Sequence, residues 1–165
     1  KRDIYEGGHH VPYIVKWPGV TQAGRVSDAL VSQIDIMASI AAALGVALPD
    51  DQAEDSHNLL PLWRGKTEAG RTTHIHNTRA NSYAIRHGDW LLVDAKHGYM
   101  SGRNAKWETK HKYPADDDAP VELYHLGQDI GQRHNVAAKN PERVRELQAL
   151  LKKIREQGHS TPRLR

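Results

Sequence analysis

A lysine, a pair of glycines and two adjacent histidines stand within the first ten residues of this 165-residue chain. The ammonium of Lys1 can bind an anion, and the imidazoles of His9 and His10 can donate hydrogen bonds to hydroxyl or anionic oxygens. Gly7 and Gly8 allow positive φ angles and a close approach of the backbone. The pattern predicts a polar loop that carries chemistry, although a glycine pair before a strand is also typical of an ordinary turn.

The loop is predicted to lead into a buried strand that anchors it. Tyr13-Ile14-Val15 has the short, β-rich composition of such a strand. Pro12 fixes φ at the beginning of the strand. The turn formers Pro18 and Gly19 predict that the chain reverses immediately afterwards.

Composition limits the classes of protein that this chain can represent. Its 23 basic and 20 acidic residues are interspersed and give a net charge of +3, whereas a nucleic-acid-binding protein would show a basic stripe with aromatic platforms. No apolar run approaches the roughly 20 residues of a membrane span. The eleven histidines are scattered, and the absence of cysteine excludes disulfides and cysteine-ligated zinc. We therefore expect neither a nucleic-acid partner nor a membrane span.

The segment after residue 33 predicts one amphipathic helix. Asp35 is expected to act as its N-cap, and Gly45 is expected to end it. The apolar residues between them fall on one face: Ile36, Met37, Ile40, Ala41 and Leu44.

From Thr72 onwards the apolar period changes to two, which predicts strands. A first strand is expected at 73–77, and a hairpin is expected at 82–94 because His87-Gly88-Asp89 forms a tight turn. A further strand is predicted at 122–126. The last helix is predicted to begin at Asn140-Pro141, with an apolar stripe against the sheet.

The motifs follow one another in an order that resembles the sulfatase family. That family carries Lys-Gly-x-x-Tyr-Glu-Gly-Gly-x-Arg-Val-Pro after a metal-binding Asp-Asn pair, and this chain has Lys1, then Tyr5 to Gly8, then Val11-Pro12. His10 stands where the family usually has arginine. Further matches follow at 31–36, 55–62, 64–65, 84–92, 122–126 and 131–137.

The resemblance implies a C-terminal fragment with two parts. Residues 1–68 would be the last portion of an α/β catalytic domain of the alkaline-phosphatase/sulfatase type. Residues 69–158 would form a small α+β domain with an antiparallel sheet and a packed C-terminal helix, and residues 159–165 would be a tail. The missing N-terminal part of the catalytic domain is an expected partner.

The resemblance also implies roles for individual residues. Lys1 would bind an oxygen of the sulfate, whereas His9, His10, His76 and Asn77 would contact the rest of a sulfated small-molecule or glycan substrate. For each histidine a purely structural role stays open.

The cofactors implied are Ca²⁺ and a formylglycine nucleophile, the latter made from a Cys/Ser-x-Pro-Ser-Arg motif that this chain lacks. We therefore expect both outside this fragment, no metal ligand within it, and an inactive fragment. Similar proteins are commonly periplasmic or secreted. Two other functions stay open: a non-catalytic domain that binds sulfated polysaccharide or serves as a scaffold, and a phosphonate or phosphate monoester hydrolase of the same superfamily.

Overall fold

The computed structural model describes residues 2–79, 81–100, 102–114 and 118–161. Two compact units account for the chain. The sheet unit comprises Lys1–Val11 and Ile75–Lys153, and the helical unit comprises Pro12–His74 and Ile154–Arg165. Lys1 itself, our predicted sulfate-binding residue, lies outside the described residues.

The sheet unit contains a four-stranded sheet in the order β1-β2-β3-β4. The strands are β1 (Thr73–Arg79), β2 (Ser82–His87), β3 (Trp90–Val93) and β4 (Glu122–His125). Strands β2, β3 and β4 pair antiparallel, and Gly88 adopts the positive φ that a tight hairpin turn requires. The predicted strands and hairpin are confirmed. The turn formers at His87-Gly88-Asp89 and the β-rich composition of the flanking segments were sufficient signals.

One face of this sheet receives the N-terminal segment. Ile4 is 1% exposed and packs with Leu91, Val93 and Tyr124. The backbone N–H of Ile4 donates to the carbonyl of Gly98 at 3.0 Å. The segment that precedes the two glycines is therefore part of the hydrophobic core.

The opposite face carries helix α5 (Pro141–Gln157). Leu147 and Leu151 are fully buried, and the amide of Gln148 donates to Asp94 at 2.8 Å. Because side chains alternate along a strand, Asp94 projects to the face opposite Val93. The predicted antiparallel sheet with a packed C-terminal helix is confirmed, including the helix start at Pro141.

The glycine pair lies in a short helix rather than a loop. Helix α1 spans Glu6–His9, and neither glycine has a positive φ, so that part of the prediction was wrong. The close backbone approach is confirmed at Gly8, where a Cβ atom would lie 2.8 Å from the carbonyl carbon of Asp3 and closer still to its oxygen. At Gly7 a Cβ atom would meet nothing within 4 Å.

The helical unit is built around a buried ion pair. A 3₁₀ turn (Gln33–Asp35) leads into α2 (Ile36–Leu44), and α3 (Leu60–Trp63) follows. The carboxylate of Asp35, 0% exposed, accepts the backbone N–H groups of Ser32 and His57 at 2.8 and 2.9 Å and lies 3.4 Å from the guanidinium of Arg71. Asp35 therefore joins three segments and is not the simple helix cap that we predicted. Gly45 ends α2 with φ 68° as expected.

One prediction for this unit was wrong. Residues 13–15 form no strand, and Ile14 is 88% exposed. A strand needs a neighbour for its backbone groups, and no described residue pairs with this segment. The predicted apolar face of α2 is present, and much of it is exposed, with Met37 at 52% and Leu44 at 72%.

The polar stretch 96–120 contains a helix that the sequence did not predict. Helix α4 spans Ala105–Lys110, and the side chain of Asn104 caps it by accepting the N–H of Trp107 at 3.1 Å. The predicted domain boundaries after 68 and 158 stay a prediction. Ser160 and Thr161 of the predicted tail hydrogen-bond to Asp55 and Glu54.

Candidate functional site

A buried carboxylate in α1 gathers three basic side chains of the sheet unit. Glu6 is 6% exposed. Its oxygens lie 3.2 Å from Nδ1 of His10, 3.7 Å from Nε2 of His9 and 3.8 Å from a guanidinium nitrogen of Arg86. His9 and His10 follow Glu6 by three and four residues, a spacing that places side chains on one helix face. The short helix is thus what brings them to the carboxylate.

The ring of His9 also stacks on a second predicted residue. The centroids of the His9 and His76 rings are 4.0 Å apart. Nε2 of His76 lies at hydrogen-bond distance, 2.8 Å, from the carbonyl oxygen of Ile4. Strand β1 and the N-terminal segment are therefore connected through His76.

Burial lowers the pKa of His9 below its usual range, whereas Glu6 raises it by a smaller amount. A lowered pKa favours the neutral imidazole at pH 7, which has one donor and one acceptor nitrogen.

Tyr5 fixes the segment from the other side. Its hydroxyl donates to the carboxylate of Glu122 at 2.8 Å and accepts the backbone N–H of Gly98 at 3.0 Å. Burial and the nearby Glu122 carboxylate raise the pKa of Tyr5. The phenol therefore stays protonated and keeps donating to Glu122 at any pH at which the protein functions.

A further bond holds the start of α1. The backbone N–H of Glu6 donates to Oε1 of Gln132 at 2.7 Å. This bond satisfies one of the N–H groups that the first turn of a helix leaves unpaired. Residues 4–10 are consequently held in place by contacts from several parts of the sheet unit.

The described residues do not supply the cofactors that the resemblance implies. No group of three or more His, Asp or Glu side chains within the described ranges could hold a metal ion, and the chain lacks the Cys/Ser-x-Pro-Ser-Arg motif from which formylglycine is made. The residues described here thus do not fit either group. No helix in the described part of the chain has the length and hydropathy of a membrane-crossing segment.

Comparison with known families decides the relationship. The family model for the C-terminal region of N-sulphoglucosamine sulphohydrolase matches residues 1–159. The chain belongs to the sulfatase family.

Curated sulfatases match over most of this sulfatase chain. An N-acetylgalactosamine-6-O-sulfatase of Bacteroides thetaiotaomicron is 35% identical over 155 residues, which are 94% of the chain and 29% of that protein. The human N-acetylgalactosamine-6-sulfatase is 29% identical over 146 residues, which are 81% of the chain and 27% of that protein. The sulfatase chain therefore spans less than a third of the length of these relatives.

Solved structures give the same relationship. One from a study of glycosaminoglycan metabolism in Bacteroides thetaiotaomicron has a TM-score of 0.73 and 33% identity, covering 93% of this chain and 31% of its own. Another, solved in complex with its substrate D-glucosamine-2-N,6-O-disulfate, has a TM-score of 0.61 at 19% identity, covering 87% of this chain and 28% of its own. The second likeness concerns the fold alone. The predicted family membership is confirmed.

The sulfatase chain brings three of the predicted site residues together. His9, His10 and His76 lie around Glu6 and Ile4 as described above. Asn77 is the neighbour of His76 on β1 and is exposed, so its side chain projects to the opposite face of the strand. Their roles in substrate binding stay a prediction.

Sequence reasoning missed the residues that hold this cluster, namely Glu6, Arg86 and Gln132. Glu6 was part of the sulfatase motif, and its spacing to both histidines would have indicated contacts if a helix had been predicted. No local signal connects Arg86 or Gln132 to the motif.

Proposed function

We propose that this chain is the C-terminal part of a sulfatase that hydrolyses sulfate esters on sugars. The observation that carries the proposal is the 35% identity to an N-acetylgalactosamine-6-O-sulfatase over 94% of the chain. The grouping of His9, His10 and His76 around residues 4–10 supports it, because imidazoles suit the hydroxyl and anionic groups of a sulfated sugar. We propose a sulfated glycan or its fragments as the substrate.

Lys1 would bind an oxygen of the sulfate. The sulfate carries concentrated negative charge, and a compact ammonium aimed at it stabilises both the substrate and the transition state. His9, His10, His76 and Asn77 would contact the sugar. Burial lowers the pKa of His9 and favours its neutral form. Its Nδ1 is buried, so Nε2, which lies 3.7 Å from Glu6, would be the nitrogen that contacts the sugar.

The nucleophile and the metal would come from polypeptide outside this chain, as formylglycine and Ca²⁺ in an alkaline-phosphatase-like α/β domain. The exposed apolar residues of the helical unit support this part of the proposal. Met37, Ile40 and Leu44 lie on one face of α2 and are 52%, 49% and 72% exposed, and a contiguous apolar face left exposed in this way marks an interaction site. The remaining two thirds or more of a sulfatase would cover them. This chain alone would be inactive, and the whole protein would be periplasmic or secreted.

The test is sulfate release by the full-length protein that contains this chain. With N-acetylgalactosamine 6-O-sulfate as substrate, Lys1→Ala should lower kcat/KM by about 100-fold or more. The matched control is Lys16→Ala, because Lys16 is an exposed lysine with no proposed role in the site; it should leave kcat/KM unchanged. Near-normal kcat/KM in Lys1→Ala would remove Lys1 from the site.

The same assay separates the other candidate functions. Release of phosphate from the 6-phosphate analogue, without release of sulfate from the sulfate ester, would indicate a phosphate monoester hydrolase. Binding of sulfated polysaccharide without hydrolysis of either ester would indicate a scaffold.

A further inference from the structure

The sheet unit contains a pocket of about 360 Å³ beside Tyr5 and the start of α1. Four aromatic side chains contribute to its wall: Tyr5, Tyr99, Trp107 and Tyr113. The rings of Tyr5 and Tyr99 are 5.0 Å apart, and those of Trp107 and Tyr113 are 5.9 Å apart. This volume lies near the lower end of the roughly 300–1,000 Å³ that small-molecule sites occupy.

The aromatic wall is held in place although Trp107 is 50% exposed. Trp107 lies in α4, stacks on His111 at 4.4 Å and has its backbone N–H capped by Asn104. The hydroxyl of Tyr113 donates to the carbonyl of Gly131 at 2.7 Å, and Arg133 lies 5.1 Å above its ring. An exposed tryptophan on a fixed support is an unusual use of a large apolar surface, because such rings are normally buried.

Polar groups complete the wall. Glu108 lines the pocket and pairs with Arg103 at 3.0 Å, so its charge is balanced. Gln132 also lines it, is 6% exposed, and uses Oε1 to accept the N–H of Glu6. Its Nε2 has no hydrogen-bond partner among the described residues. Buried amide donors are nearly always paired, so this one indicates a partner that arrives with a ligand or water.

The backbone at Gln132 supports the same interpretation. Gln132 has φ 50°, a conformation that non-glycine residues adopt rarely and that tends to occur at ligand sites. The same side chain connects α1 to the pocket wall.

We propose that this pocket binds an uncharged sugar ring of the glycan, one that neighbours the sulfated residue in the chain. A sugar ring has an apolar face of C–H groups and a rim of hydroxyls. The apolar face can pack on the rings of Trp107 and Tyr113. The hydroxyls can hydrogen-bond to the amide of Gln132 and the carboxylate of Glu108. None of the residues that line the pocket is basic, so the lining itself provides no cation for a second sulfate.

The position of the pocket fits an extended glycan. Tyr5 and Gly7 line it, and the same short segment carries His9 and His10. A glycan whose sulfated end contacts the histidines would place its next sugars along this segment. The inference rests on the proposed function for the identity of the substrate, but the geometry of the pocket is independent of Lys1.

The test compares two substrates of the full-length protein. One is N-acetylgalactosamine 6-O-sulfate, and the other is a tetrasaccharide with that residue at its end and unsulfated sugars behind it. Trp107→Ala should raise KM for the tetrasaccharide by about 10-fold and leave KM for the monosaccharide within about twofold. Trp107→Phe keeps an aromatic face, so its KM for the tetrasaccharide should stay close to that of the unmodified protein.

The matched control is Trp90→Ala. Trp90 is a partly buried tryptophan of the same unit that packs on His125 at 4.7 Å and does not line the pocket. The Trp90→Ala variant should change the KM values for the two substrates by the same factor. An equal effect of Trp107→Ala on both substrates, or no effect on either, would overturn the inference.

Binding of the unsulfated tetrasaccharide, measured by calorimetry, separates this inference from the proposed function. If the unmodified protein binds this probe and Trp107→Ala weakens binding fivefold or more, the pocket is a sugar site even if neither sulfate ester is hydrolysed. If the protein does not bind the probe, or if the variant binds it equally well, the pocket is not a sugar site even if sulfate is released.

Discussion

Replacing Gly8 by alanine should damage the protein far more than replacing Gly7, although the two residues are adjacent in the same short helix. A Cβ atom at Gly8 would lie 2.8 Å from the carbonyl carbon of Asp3 and 3.0 Å from its nitrogen. Ordinary contacts begin near 3.4 Å, so the backbone would have to move by at least about 0.6 Å. Overpacking of this kind costs about 1–3 kcal/mol.

The displacement would also reach the proposed site. Asp3 accepts the backbone N–H of Met100 and lies two residues after Lys1. A catalytic group misplaced by about 1 Å can cost about 100-fold in rate. Gly8→Ala should therefore lower kcat/KM for N-acetylgalactosamine 6-O-sulfate by 10- to 100-fold, as an order-of-magnitude estimate, and lower the free energy of unfolding.

Gly7→Ala provides the matched control. A Cβ atom there meets nothing within 4 Å, and alanine in a helix is more stable than glycine by about 0.5–1 kcal/mol. Urea unfolding and sulfate release by the two full-length variants check the contrast. Equal midpoints and equal rates for Gly8→Ala and Gly7→Ala would refute the close-contact argument.

Two further predictions concern stability. Asp35→Ala should cost about 3–5 kcal/mol, because it leaves the buried Arg71 without its counter-ion. In urea titrations, adding Arg71→Met should recover part of that loss, and strictly additive effects would show that the pair is not coupled. Since burial lowers the pKa of His9 and His57, the folded state binds fewer protons than the unfolded state just below about pH 6.5. Their contribution to stability should be complete above that pH and decrease as the pH falls through it. His9→Gln should flatten the decrease in melting temperature between pH 7.5 and 5.5, and an unchanged slope would show that His9 does not titrate in this way.

Local rules predicted those elements whose signals lie within a few residues. The hairpin around Gly88, the end of α2 at Gly45 and the start of α5 at Pro141 follow from turn chemistry, capping and proline geometry. These signals hold in any tertiary context that buries the sheet.

Tertiary contacts decided the rest. The segment around Ile14 has strand composition, but a strand forms only beside a partner strand. Helix α1 contains two glycines, which disfavour helix, and forms where Gln132 accepts the N–H of Glu6. Because α1 was not predicted, the grouping of His9 and His10 around Glu6 could not be predicted either. The contribution of Arg86 comes from a distant strand and has no local signal.

The burial of Ile4 in the core of the sheet unit has a consequence for interpreting damaging substitutions. Only two residues, Arg2 and Asp3, separate Ile4 from Lys1, so a displacement of Ile4 would be passed on to the proposed sulfate ligand. A cavity made under Ile4, for instance by shortening Leu91, would shift these two residues before the domain melts. In an activity screen the lower activity of such a variant would be attributed to a catalytic defect, although the altered residue does not contact the substrate.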